Sequence, residues 1–517
     1  WPPQAGVESA GGAHRRNTGE IYQPDCADGN PNRMKPETKE FRSKAAQTLE
    51  DKTVLQSLEH VYTGFHEGRL KAAADTPDWE DLRTKGKAIK DHTIAHLDYY
   101  LGLLADNVEK NDGHVFFADD AAEARKHIID LAHTREIKTV IKSKSMVSEE
   151  MALADALIEE GIEAVETDLG EYIIQLAGET PYHLIAPAIH KSRQEVAALL
   201  DDNFTVGDPI PGVDELTMLA RAKLRAVFER ADMSVTGVNF AVAESGSIAI
   251  VTNEGNGRMS TSVPRIHVAV MGMEKIIPSI QDLSTMLRIL IRSATGQRIS
   301  SYITMVNGPR KPDEEEGPDE FHLVIMNNGR DKLLADPQMR ESLNCIRCGA
   351  CLNACPVYRK VGGHAYGWVY PGPIGSVVSP VLTGLKDAHD LPNGSSLCGA
   401  CHEVCPVKIN IPRMLLELRW RAAEGKSDPA ERASSMKERM LWKSWRIGMM
   451  GRRRFDFGAR ISRFLMRPIS KHGWIKKAPP PVSGWTTTRD FPLVAAKTLK
   501  QRLAARKKSI GANRNRP

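Results

Sequence analysis

From about residue 34 to residue 110, apolar positions recur every three or four residues. DKTVLQSLEHVYTGFHEGRL and IAHLDYYLGLLADNV carry the period, which predicts helices. From about residue 114 the texture alternates. HVFFA, TVIKSK, AVETDL and HLIAPAI read as short strands. AAEARKHIIDLAH, EEMALADALIEEG, SRQEVAALLDD and DELTMLARAKLRAVFERA read as helices between or after them. Short apolar strands separated by amphipathic helices predict an α/β domain whose parallel or mixed sheet is covered on both faces. NFAVAESGSIAIVTNEG predicts a hairpin turning at Glu244–Ser247, and IHVAVMG, SYITMVNG and FHLVIMNN add further strands. The acidic stretch PDEEEGPDE reads as a solvated loop between two of these. A helical cysteine-rich module is expected over about Asp331–Leu415, with a loop-like interior at Gly362–Ser396 where Pro371–Pro373 and Pro392–Gly394 signal turns.

Composition narrows the class. A chain of 517 residues has room for two to four domains, and no run of about 18 apolar residues is present to cross a membrane. Charge is unevenly spread. From Arg432 onward there are 23 Lys and Arg against three Asp and Glu, whereas the whole chain is only +5, so the preceding residues carry about −15. A strongly basic end on an acidic body points to contact with something acidic. Residues 1–33 lack any apolar period and begin at Trp1. We expect the native start at Met34, with residues 1–33, including Cys26, an upstream or disordered extension outside the chemistry.

The other seven cysteines lie within about sixty residues, a clustering that signals metal ligation rather than a disulfide framework. Cys345, Cys348, Cys351 and Cys355, followed by Pro356, form C-x2-C-x2-C-x3-C-P, the bacterial ferredoxin run. Three thiolates two residues apart on a tight loop wrap three corners of an iron–sulfur cube, and Gly349 permits close backbone approach. The fourth cysteine of such a run serves the other cluster. Cys398, Cys401 and Cys405, followed by Pro406, repeat its last three positions, and the first falls on Ser395. The expected ligand sets are therefore Cys345, Cys348, Cys351 and Cys405 for a complete 4Fe-4S site, and Cys355, Cys398 and Cys401 for a second site one thiolate short. That second site could be a 3Fe-4S cluster, a 4Fe-4S cluster with serine or solvent at one iron, or a 4Fe-4S cluster open to a partner or substrate. Structural zinc pairs cysteines in twos toward four ligands, and seven with a triple run do not divide that way. His402, beside Cys401, is either a tuning hydrogen-bond donor or a solvent-facing loop residue.

The α/β region has no dinucleotide fingerprint, Walker A sequence or nucleophile elbow. Glu254–Arg258 (EGNGR) is an anion-loop candidate, with Gly255 and Gly257 freeing backbone amides and Arg258 adding charge, against a plain turn. Glu244, Asp168 and Glu171 are carboxylates near strand ends that could be catalytic or merely turn residues. Spacing selects no reaction for this domain.

Five segments together resemble one family: Thr167–Leu176, Ala243–Thr261, His267–Pro278, Cys345–Tyr358 and Gly362–Gly375 are similar to the lactate utilisation protein B family. The resemblance runs from about Met34 to the basic tail. It implies a lactate-utilisation α/β domain, similar in fold to the sugar-phosphate isomerase and CoA-transferase superfamily, followed by an α-helical double-cluster ferredoxin domain and a basic tail. It also implies that the three-thiolate second site belongs to the family pattern. The expected divisions are 1–33, a helical 34–113, the α/β domain 114–330, the ferredoxin-type domain 331–415 and the basic region 416–517.

The function so implied is an iron–sulfur electron-transfer subunit, not itself catalytic, working with companion subunits to oxidise L-lactate to pyruvate. Two alternatives stand beside it: an α/β domain that is itself the catalytic domain, with Glu244 as base or nucleophile, or the ligand-binding domain of a different oxidoreductase; and a redox sensor whose basic tail binds nucleic acid. The tail interleaves Trp442, Trp445, Phe455 and Phe464 with arginines. Such a segment suits docking on a protein partner or on the chain's own acidic body, then an anionic membrane surface, with nucleic acid the least favoured. Cluster thiolates imply a reducing compartment, so the expected location is the cytoplasm, with a peripheral place at the inner membrane face as an option.

Overall fold

The computed structural model describes residues 36–204, 212–425, 431–480 and 483–514. The expectations for residues 1–33 and Cys26 lie outside them. The chain divides into two compact units between Ala433 and Ser434.

The first unit is built on a six-stranded, wholly parallel sheet. In chain order its strands are β1 (His114–Ala118), β2 (Thr139–Lys142), β3 (Glu163–Glu166) and β4 (Met233–Gly237), then, after two strands of another sheet, β7 (Ile266–Gly272) and finally β10 (Glu320–Met326). Their spatial order is β1-β10-β7-β4-β2-β3. The other sheet holds the hairpin β5 (Phe240–Val242) and β6 (Ser247–Thr252), which pair antiparallel, with β8 (Ile276–Ile277) parallel to β5 and β9 (Tyr302–Val306) antiparallel to β6. The sheet material thus forms two sheets, one parallel and one mixed. Central strands alternate between two cores because the side-chain period of a strand is two residues. On β7, Ile266, Val268 and Val270 join the core beneath helices Ala121–Thr134 and Leu153–Glu159. Ala269 and Met271 join the larger core shared with the N-terminal helices, the mixed sheet and the cysteine module.

Two expected elements differ. HLIAPAI is not a strand: Tyr182 donates its backbone N–H to the Pro187 carbonyl at 2.9 Å, closing an irregular loop in which Leu184 and Pro187 are buried without a ladder. Gly362–Ser396 is not loop-like throughout. It contains the helix Gly372–Thr383, with proline near its start, where the missing N–H costs nothing. This helix is buried on nearly every side, so it has no amphipathic period to read.

The N-terminal helices pack on the helix Ile280–Thr295 and on the cysteine module. A Cβ at Gly86 would lie 2.4 Å from Ile289 Cδ1, so any larger residue there would make that side chain shift. Helix Ile411–Glu424 runs through position 416 and is buried against the same core at Met414, Leu415 and Leu418. In the second unit, helices Met436–Met449 and Arg452–Met466 are basic, and the side chains of Trp442, Trp445 and Phe464 are exposed. No helix among the described residues is long and apolar enough to cross a membrane.

The parallel sheet and the cysteine module are joined by a buried charge network. Arg330, only 1% exposed, donates from Nη1 and Nη2 to the two Glu150 carboxylate oxygens at 2.9 and 2.8 Å and from Nε to Glu274 Oε2 at 2.6 Å. The Tyr370 hydroxyl donates to Glu150 at 2.5 Å, and Arg347, in the first cysteine loop, reaches Glu274 at 3.4 Å while stacking on the Tyr370 ring at 4.2 Å. Removing the central cation strands two buried carboxylates. Arg330→Met should therefore lower stability by about 3–5 kcal/mol in chemical denaturation. A loss under about 1 kcal/mol would show that the network does not hold the two parts together.

Candidate functional site: two cysteine sets against an α/β domain

The two cysteine runs fold alike, position for position. In the first, Arg347 (φ 59°) and Gly349 (φ 74°) flank Cys348; in the second, Leu397 (φ 55°) and Gly399 (φ 87°) flank Cys398. Two left-handed residues around one cysteine curl each loop tightly. A single helical turn follows in both, Ala350–Asn353 and Ala400–Glu403. Then comes a cysteine before proline whose Sγ accepts a backbone N–H: Tyr358 to Cys355 at 3.5 Å and Ile409 to Cys405 at 3.3 Å. Ser395 therefore occupies the place that Cys345 has in the first run. Its hydroxyl oxygen accepts the Leu397 N–H at 3.1 Å, and its carbonyl accepts from Arg419 at 2.6 Å.

None of the seven described cysteines is in a disulfide, and their mutual electrostatics sort them. Burial raises Cys348 to about 12, with repulsion from Cys405 and Cys345 added, although the Ala350 N–H works the other way. Burial raises Cys405 to about 11, again with Cys345 as a repelling neighbour. Cys351 is pushed well up by burial and then by Cys345, Cys348, Cys401 and Cys405. Cys401 rises to about 12 through burial, Cys355 and Cys398. Cys398 alone is lowered, by the Ala400 N–H and the Ser396 side chain, and it is exposed. Thiols so crowded and so poorly solvated ionise readily only around a compact multivalent cation, and a thiolate-only donor set fits iron–sulfur chemistry.

Positive charge from far away in the sequence surrounds the first set. Arg83 donates to the carbonyls of Glu403 at 2.7 Å and Cys405 at 2.8 Å, and Arg69 donates to the Val404 carbonyl at 2.8 Å. These arginines sit on the N-terminal helices, and periodicity alone marked nothing special about them. No local signal could have found them, because their partners lie more than 300 residues further along the chain. His402 bonds through Nδ1 to the Ile409 carbonyl at 2.9 Å and not to a sulfur.

The α/β candidates are dispersed. Glu244 accepts the Ile280 N–H at 2.7 Å and caps the helix Ile280–Thr295 at its exposed start. Asp168 caps the helix Leu169–Ala177 through the N–H groups of Gly170 and Glu171. Glu171 is buried beside Glu149 and Glu166, where burial first and then those carboxylates push its pKa well up. Gly255 precedes the short helix Asn256–Ser260, and Arg258 is exposed. Glu254, Asn256 and Asp168 do meet in one cleft, at the carboxyl ends of the parallel strands.

Residues 101–326 match the LUD domain and residues 341–409 the 4Fe-4S dicluster domain. Fold and site together define an iron–sulfur protein that joins these two domains. The chain is 42% identical over 482 residues to the lactate utilization protein B of Bacillus licheniformis, covering 93% of this chain and 100% of that one. It is also 42% identical over 460 residues to that of Bacillus subtilis, covering 89% and 95%. A DUF162 family protein from Deinococcus radiodurans aligns at 13% identity over 45% of this chain and 98% of that one, with a TM-score of 0.26, too low to carry an argument. The chain belongs to the lactate utilization protein B family.

Gly399 has no neighbour within 4 Å of an added Cβ, so its substitution tests backbone conformation alone. Gly399→Ala should cost about 1–2 kcal/mol from the left-handed φ and lower the iron content of the purified protein. Full stability and iron in this variant would mean that the curled loop is not required.

Proposed function

We propose that this chain is the electron-transferring subunit of a complex that oxidises L-lactate to pyruvate. The observation that carries this reading is the paired construction of the two cysteine runs, one set enclosed and the other open to the surface at Cys398. Cys345, Cys348, Cys351 and Cys405 would hold one 4Fe-4S cluster. Cys355, Cys398 and Cys401 would hold the second, with Ser395 at the position of the absent fourth thiolate. A bound cluster supplies one-electron oxidation and reduction. The residues around the first set do the rest: the helix Gly372–Thr383 and the Ile409 and Ile411 side chains exclude water, and Arg69 and Arg83 set a positive surround. Exposure of Cys398 supports exchange with a partner on that side.

Companion lactate-utilisation subunits are the partners this function requires, and the exposed aromatic and arginine side chains of helices Met436–Met449 and Arg452–Met466 suit an acidic protein surface. Thiolates kept for cluster ligation support a reducing compartment, the cytoplasm, as the location. Glu244, spent on capping a helix in the exposed hairpin turn, supports an auxiliary rather than a catalytic α/β domain.

Two measurements test this. The isolated, cluster-loaded chain should not oxidise L-lactate with an artificial acceptor and should support the reaction once its companions are added. Appreciable turnover by the chain alone would overturn the division of labour. Iron counting and EPR after anaerobic purification should show the second-site signal altered in Ser395→Cys and the first unchanged. An identical second-site signal would remove Ser395 from the vacant position.

A further inference from the structure

A cavity of about 430 Å³ opens at the carboxyl ends of the parallel strands. Ser143, Lys144 and Ser145 enter it just past β2, Asp168 just past β3, and Gly237 and Val238 at the end of β4. Ligands of parallel α/β sheets characteristically bind on this side. The opposite wall is apolar, from Ile250 on β6 and Leu290, Ile291 and Ala294 on the helix Ile280–Thr295. Arg347 completes the cavity from the first cysteine loop and also borders the space enclosed by Cys345, Cys348, Cys351 and Cys405.

The cationic side of this cavity has one nearby carboxylate, Glu274, and Arg330 already engages it. Lys275 is 9% exposed and is attracted by Glu274, but its ammonium hydrogen-bonds to no described residue. Arg347, 8% exposed, has one long contact to Glu274 at 3.4 Å, while its buried Nε and Nη1 have no hydrogen-bond partner. Asn256, which also lines the cavity, is buried with its Oδ1 unpartnered. Buried cations with so few hydrogen-bond partners are costly, and a bound anion would relieve that cost. The acidic lining limits the anion. Asp168 and Glu254 share the cavity with Lys144, Lys275 and Arg347 and would repel a second negative charge.

We propose that this cavity binds an organic monocarboxylate, its acid group held by Lys275 and Arg347 and its body against Val238, Ile250, Leu290 and Ile291. The volume lies in the ordinary small-ligand range of about 300–1,000 Å³ and exceeds what a three-carbon acid fills, so a longer acid is admitted as well. The proposal does not rest on the electron-transfer reading, because it concerns binding alone.

Calorimetric titration of the full-length, cluster-loaded protein tests it, with L-lactate, pyruvate, 4-methyl-2-oxopentanoate and inorganic phosphate as probes. At least one carboxylate should bind saturably at one site per chain, and phosphate should not displace it. Lys275→Met should weaken that binding at least about tenfold, the loss of one charge-assisted hydrogen bond. Lys275→Arg should retain most of it. Ala294→Phe fills the cavity without touching a charge and should abolish binding while leaving iron content and melting temperature unchanged. If Lys275→Met does not fold, Ala294→Phe decides. No saturable binding of any carboxylate, preference for phosphate, or an affinity unchanged in Ala294→Phe would each overturn the proposal.

Discussion

Arg330 has almost no contact with water and sits between Glu150 and Glu274, carboxylates contributed by the helix after β2 and the turn after β7. Tyr370 and Arg347 close the arrangement from the cysteine module. Charges taken out of water this completely are tolerable only with every partner in place. The carboxyl ends of the parallel strands and the first cysteine loop are therefore built as one structure. Burial alone would raise Glu274, yet Arg330, Arg347 and Lys275 hold its carboxyl down at about 2, so it stays ionised throughout the neutral range. The loop that carries Cys345 and Cys348 inherits its position from this network, as does the cavity that Arg347 borders.

The N-terminal helices add a second layer of constraint. Arg69 and Arg83 spend their guanidinium groups on backbone carbonyls around Cys405, so a segment more than 300 residues earlier in the chain shapes the far side of the first cysteine set. The second set has no such enclosure at Cys398. Its thiol alone is lowered, because N–H and hydroxyl donors reach it while burial is slight. Two loops of the same local conformation thus differ in environment, and the difference lies in what packs on them.

Local readability followed burial geometry. Strands β1, β7 and β10 were legible because each is a continuous apolar run between turn signals. Strand β4, Met233–Gly237, lies between β7 and β2 in the sheet, yet its Ser234, Thr236 and Gly237 give no such run and its neighbours alone identify it. The helix Gly372–Thr383 was hidden for the opposite reason: buried all round, it shows no polar face. Glu244, which the sequence offered as a catalytic carboxylate or a turn residue, sits beside a helix start and accepts the backbone N–H of Ile280.

The amino-acid order by itself determined the cysteine runs, their shared loop conformation and the serine at the first position of the second run, because these depend on spacing and on glycine within a dozen residues. It also determined the charge imbalance of the basic end. Only the tertiary structure decided which thiols are enclosed, which arginines stand beside them, and that Lys275, Arg347, Asp168 and Glu254 share one cavity. Those four residues come from separate loops, after β3, β6 and β7 and in the first cysteine run. No local pattern relates such positions, whereas the sheet register and the Arg330 network bring them to one edge.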